Sequence, residues 1–299
     1  MQHLALLHLV FKYMTSKSNN MVKQILILLS FAILVNGENV YAQPSSDIDI
    51  EKVVVKRYGL TYATRMLDFV YEFVYPLGDS PAITKIREQI LVDYFSAEPT
   101  YATPPQERLT GDFSERLKAV QEWYEDDVIK GVAGEIAPME EWGQVISHDF
   151  RTSTIRNNHN KVLVYCIASS YSNGIAHPRC YNTCINYDLQ SGNQIVLADL
   201  FNEANIKRLD AIVNEVLKSQ DNYTVGTIEN FIMLPKGIQF VYNEYIAGPY
   251  SAGTVRATIP LSKFRHLLKD SALTYFEKSN RMQKHPRVQV SDSALEREG

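Results

Sequence analysis

Residues 161–193 read KVLVYCIASSYSNGIAHPRCYNTCINYDLQSGN. The stretch opens on an apolar run from Lys161 to Tyr171 and closes on an alternating run from Arg179 to Leu189. Between them stands SNGIAHP, whose glycine and His-Pro step interrupt a strand, and QSGN then ends the second run as a turn. Upstream, Trp142 to Ile155 is a further strand-like run, separated from Lys161 by NNHN. Strand-like runs with short polar breaks predict an antiparallel meander.

Working outward, residues 53–75 are aromatic and β-branched and read as one or two strands. Ser80 followed by Pro81 offers an N-cap with proline at the first helical position, and Ile83, Ile86, Ile90 and Tyr94 follow at helical spacing. After a Pro- and Thr-rich loop at 96–111, Asp112 and Glu115 form a capping-box pattern; Phe113, Leu117, Val120 and Tyr124 then predict a helix over 112–130. On the other side, LADLF (197–201) leads into a helix over 203–219. A hairpin around Pro-Lys-Gly, a strand at 254–259 and a short helix at 262–268 complete the pattern. Antiparallel strands with segregated helices define an α+β fold, an antiparallel β-sheet with helices packed on one face. The expected organisation is a leader over 1–42, a smaller α+β region over 43–135, the main α+β domain over 136–277 and a polar tail over 278–299.

The chain has 299 residues, 45% apolar and 21% charged, which excludes a disordered protein but selects no fold. Lys23, an apolar run at 25–35, and Val40 and Ala42 at minus three and minus one of a cleavage site predict a secretory signal peptide. Met21 is then an alternative start to Met1. The expected product is exported, periplasmic or extracellular, and not an integral membrane protein once the signal is cleaved. Removing residues 1–42 leaves a net charge of about −6, with no basic stripe to neutralise phosphates, so nucleic acid is excluded as a partner.

Cys166, Cys180 and Cys184 lie in the part that export would expose to oxidation. A register placing Cys166 opposite Cys184 permits a disulfide there; Cys166–Cys180 is the alternative, and buried free thiols are the other reading. Cys180 and Cys184 cannot bridge each other, because four residues of one strand separate their Cα atoms by about 13 Å. A zinc site from these cysteines and His177 has enough ligands, yet Cys-x3-Cys only loosely resembles the usual spacing, so no metal and no cofactor is expected. His177 is a candidate base, but HExxH, HxxxH and CxxC are absent, and GPYSAG (248–253) misses the GxSxG elbow around Ser251 by one residue. Asp188 and Asp199 read as turn and helix-start residues.

Four motifs recur in order: GIAHP (Gly174–Pro178), the N-x-D strand with its glycine turn (Asn186–Gly192), LADLF (Leu197–Phe201) and YIAGPYSAG (Tyr245–Gly253). With them, residues 165–268 resemble the extracytoplasmic C-terminal domain of the RsiV-like anti-sigma factors. That domain of unknown function also occurs on secreted peptidoglycan deacetylases and on stand-alone exported bacterial proteins. The resemblance implies a binding domain. The anti-sigma member captures lysozyme through this region, so the implied ligand is lysozyme or another secreted protein, or a peptidoglycan-related envelope ligand. The recognition candidates are Tyr171, Asn173, His177, Tyr245 and Tyr250, since rigid sheets position functional loops. The alternative is an envelope hydrolase using His177 with a nearby carboxylate, Asp188 or Asp199.

Overall fold

The meander lies at the centre of the molecule. The computed structural model describes residues 48–62, 65–97, 103–128, 145–158, 161–172, 177–221, 223–225, 228 and 230–276. The expected leader and tail lie outside these residues, as does Asn173. Strands β1 (Ile50–Tyr62) and β2 (Arg65–Pro76) pair as an antiparallel hairpin. β3 (Val145–Asn158), β4 (Val162–Ser172) and β5 (Arg179–Asp188) form the expected meander, and β6 (Gln194–Ile195) adds a short edge. β4 is apolar from Val162 to Ala168, where both its faces are covered. Leu163, Tyr165 and Ile167 enter one core, and Val162 and Val164 enter the other.

The six strands follow in chain order, and one pair, β2–β3, runs parallel. A parallel pair requires a long crossover, and the chain between β2 and β3 supplies helices that cover one face. The sheet therefore runs across the boundary expected near residue 135. Helix α1 (Pro81–Ser96) starts where Ser80 Oγ accepts from the Ile83 amide at 3.2 Å, with Pro81 in the first turn. Helix α2 (Phe113–Trp123) starts on a reciprocal capping box, the Glu115 amide donating to Asp112 and the Asp112 amide to Glu115, each at 2.9 Å. A π turn over Tyr124–Val128 extends it. Ile86, Ile90, Tyr94, Phe95, Leu117 and Val120 pack on Phe69, Tyr71 and Phe73 of β2. Each such side chain fully buried contributes about 1.5–3 kcal/mol.

Within this core sits Arg151 of β3, 1% exposed. Its Nη1 donates to the Tyr94 carbonyl at 2.7 Å and its Nη2 to the Ala97 carbonyl at 3.1 Å. Those carbonyls end α1, whose last turn carries no basic residue of its own. A cation from another strand thus satisfies the negative end of the helix. The guanidinium also lies over the rings of Tyr94 and Tyr124. Asp149, two residues back on the same face, accepts from Tyr124 Oη at 2.9 Å.

The second core lies on the other face of β4. It is closed by a three-stranded antiparallel sheet, β7 (Phe231–Leu234), β8 (Gly237–Tyr242) and β9 (Val255–Pro260), and by helix α3 (Glu203–Asp221) through Leu209, Val213 and Leu217. One-turn helices at Leu197–Leu200 and Leu261–Phe264 frame it.

β6 covers only the last residues of β5, and side chains cover the rest of its outer edge. The amides of Cys180, Asn182 and Cys184 donate to Glu244 Oε2, Asn243 Oδ1 and Asn230 Oδ1 at 3.3, 2.7 and 2.9 Å. The Asn182 carbonyl accepts from Asn230 Nδ2 at 2.7 Å and from Asn243 Nδ2 at 3.2 Å. Two Asn side chains and one Glu take the place of a neighbouring strand here, pairing these three amides and the Asn182 carbonyl without one. Asn186 continues the series at the core, donating to the Phe231 carbonyl and accepting from the Met233 amide, each at 2.9 Å. Among the described residues, no helix is long and apolar enough to cross a membrane.

Candidate functional site

The candidate site gathers at the Arg179 end of β5, where the His-Pro step enters the strand. Tyr250, in a 3-10 turn, donates to the Pro178 carbonyl at 2.8 Å and ties the loop to the 248–253 segment. Its ring stacks on His177, with centroids 3.7 Å apart and planes at 25°. Tyr245 Oη lies 3.1 Å from His177 Nε2. Gly248, just before this turn, sits against the Tyr223 ring; a Cβ there would come within 2.7 Å of it. That close approach accounts for the first glycine of GPYSAG without a catalytic elbow.

Tyr245 has φ 65°, the left-handed region that a bulky residue enters at a cost. The conformation turns its ring outward: Tyr245 is 61% exposed and the adjacent Ile246 58%. Two large exposed apolar side chains beside a stacked imidazole form a sticky, ring-bearing surface. Behind it, Glu244 is half-buried, and burial raises its carboxyl above the ordinary range against the opposing pull of the Cys180 amide, His177 and Arg179. Burial, and then the Glu244 charge, also raises the Tyr250 phenol, so it stays a hydrogen-bond donor.

The structure thus joins His177, Tyr245 and Tyr250. Tyr171 stands apart from them. It pairs with Arg179 and Asp149, and strand alternation sends its side chain to the face opposite Ser170 and Cys180. Sequence reasoning missed Glu244 and Ile246; the Y-x-x-x-P-Y pattern brackets Ile246, but nothing local marks it as exposed.

The carboxylates considered for a hydrolase lie elsewhere. Asp188 ends β5, about 30 Å along the strand from Arg179. Its Oδ1 accepts from the amides of Gln190 and Ser191, and its Oδ2 accepts from Tyr275 Oη at 2.6 Å. Burial works to raise its pKa, yet the bonds from Tyr275, Ser191 and Gln190 prevail and hold it below the ordinary carboxylate range. Gly192 closes this turn at φ +73°, against the start of α1, where a Cβ would meet the Ala82 carbonyl at 2.8 Å. Asp199 accepts from the Val196 amide at 2.8 Å and caps its one-turn helix. Both aspartates therefore fill the turn and capping roles expected of them.

A nucleophile-like trio does occur beneath the candidate site. Cys180 Sγ lies 3.8 Å from Ser170 Oγ, and His148 Nε2 lies 3.4 Å from the same oxygen. Burial, followed by the nearby Glu244 charge, pushes the Cys180 thiol up to about 12, so it remains protonated and unreactive. Burial alone lowers the imidazole of His148 to about 4. The trio is a core contact. Among the described residues, no three His, Cys, Asp or Glu side chains are grouped to hold a metal ion.

Residues 198–262 match the family described as "Protein of unknown function (DUF3298)", a segment that carries Tyr245 and Tyr250 but not His177. A crystal structure of a DUF3298 family member from Bacteroides fragilis aligns with a TM-score of 0.61 at 18% identity, covering 77% of this chain and 97% of that one. A DUF3298 family protein from Pseudomonas aeruginosa aligns with a TM-score of 0.51 at 15% identity, covering 75% and 96%. At these identities the likeness is one of fold. No curated protein matches the chain.

Proposed function

We propose that this protein is an exported, non-catalytic binding module that grips a secreted protein or a cell-envelope ligand through the His177–Tyr245–Tyr250 surface. The observation that carries the reading is Tyr245 held at positive φ with its ring outward, beside Ile246 and a His177 stacked on Tyr250. Strain at an exposed aromatic residue is a cost that packing does not require, and recognition gives it a use. Rigid rings also contribute contact area at little loss of side-chain freedom. The resemblance to the RsiV-like domain makes lysozyme the first ligand to try, and the net charge of about −6 left after residues 1–42 suits a basic protein.

The test is titration of the purified mature chain against lysozyme and against soluble peptidoglycan fragments, for the wild type and for His177→Ala and Tyr245→Ala. Binding by the wild type that weakens at least tenfold in both variants, with no turnover of the fragments, supports the module. Equal affinity in all three proteins, or hydrolysis of the fragments by the wild type, overturns it.

A further inference from the structure

The register of the central hairpin places Cys166 directly opposite Cys184, while Cys180 faces Ser170. Directly opposite residues share a sheet face, and both Cys166 and Cys184 pack, half-buried, against the core beneath β7–β9. The type of pairing follows from a neighbouring bond. The Cys184 amide donates to Asn230 Oδ1 at 2.9 Å and so points away from β4. The Asn182 amide, two residues earlier, points the same way, to Asn243. In an antiparallel ladder such amides mark the non-hydrogen-bonded positions, where Cα atoms stand about 4.5 Å apart and side chains come closest. That separation lies within the disulfide range of about 4.4–6.8 Å. Cys180 is four residues of extended strand from Cys184, about 13 Å, and the same offset from the position facing Cys166. The Cys166–Cys180 alternative is therefore excluded by the register.

We propose that Cys166 and Cys184 form a redox clamp across β4 and β5, closing in oxidising surroundings and leaving Cys180 as a permanent thiol. In the structure all three are thiols. Closure is a two-step exchange with an external disulfide, either a small-molecule disulfide or that of a thiol oxidoreductase. One cysteine, as thiolate, attacks the external disulfide, giving a mixed disulfide and releasing one thiolate. The other cysteine, losing its proton, then displaces the second sulfur. Two S–H bonds of the protein are lost and one S–S bond forms, and the external disulfide leaves as two thiols. The clamp closes a loop of about 17 residues that contains the whole SNGIAHP segment, and so restrains the strands that deliver His177. Its formation does not depend on which ligand the ring surface takes.

The test incubates the folded mature chain with glutathione at graded reduced-to-oxidised ratios. The protein is then unfolded in guanidinium with excess iodoacetamide for intact mass and peptide mapping. The expected oxidised product carries one carbamidomethyl group, on Cys180, and a peptide linking Cys166 to Cys184. Its Tm exceeds that of the reduced protein by roughly 5–10 °C. Cys180→Ala should give the same link and the same shift, and Cys184→Ser neither. Three alkylated cysteines after full oxidation, or a link that includes Cys180, overturns the proposal.

Discussion

Two polar clusters flank the central sheet, and they differ in what their groups have left to offer. Around Arg151 nearly everything is spent inward: the guanidinium ends α1 through the Tyr94 and Ala97 carbonyls, lies over two tyrosine rings and faces Asp149. Around His177 the rings hold one another, but their outer faces meet solvent. The first cluster is architecture and the second is surface. The contrast teaches that residue type alone does not mark a site: aromatic and ionisable side chains occur in both, and only the direction of their free valences separates them.

The contrast breaks most visibly at Arg151. Arg151→Ala leaves Asp149 buried without its counter-charge and two α1 carbonyls without a donor, and should cost about 3–5 kcal/mol in urea unfolding, with the ring surface unaffected where the variant still folds. A loss under 1 kcal/mol would show the cluster to be dispensable.

The buried histidine of β3 is next. His148 is 4% exposed and its folded pKa lies near 4, below the unfolded value of about 6.5. As pH falls through 6.5 the unfolded chain takes the proton first, so stability is lost between about pH 6.5 and 4, by about 3 kcal/mol in all, and the loss stops below that. Subtracting the urea-unfolding profile of His148→Gln from that of the wild type should reveal this slope.

The smallest expected effect on stability is at Tyr245. Tyr245→Gly removes the strained conformation and should leave the protein equally stable or more stable by about 1 kcal/mol. Ligand binding should nevertheless fall, and a variant that loses stability and keeps affinity would reverse the assignment of strain to recognition.

Much of the fold was legible because its signals are local. Ser80-Pro81 and the Asp112–Glu115 box mark helix starts by chemistry confined to a few residues, and the meander declares itself by period and turn residues. The parallel β2–β3 pair was not legible, since its partners are far apart in sequence and parallel bonding leaves no turn to read. Arg151 was hidden for a related reason: in FRTST it reads as an ordinary polar strand residue, and only the arrival of the α1 terminus makes its burial favourable. The motif order of the RsiV-like resemblance put His177, Tyr245 and Tyr250 on one list of candidates, and the structure brings these three rings into contact. The list also included Tyr171, which the odd-even alternation of β4 turns to the other face. Glu244 carried no local mark, because its importance comes from the Cys180 amide it accepts from across the chain.

The amide-lined border of β5 also resists the addition of another strand. With Glu244, Asn243 and Asn230 already engaged along it, an incoming extended segment would find its hydrogen-bonding partners taken and would have to evict three side chains to zip on. Exposed sheet margins are where chains stack into fibrils. This margin is sealed by residues that add no strand, which lets the polypeptide keep its ring-bearing end open to solvent without inviting copies of itself to polymerise along the strand that carries it.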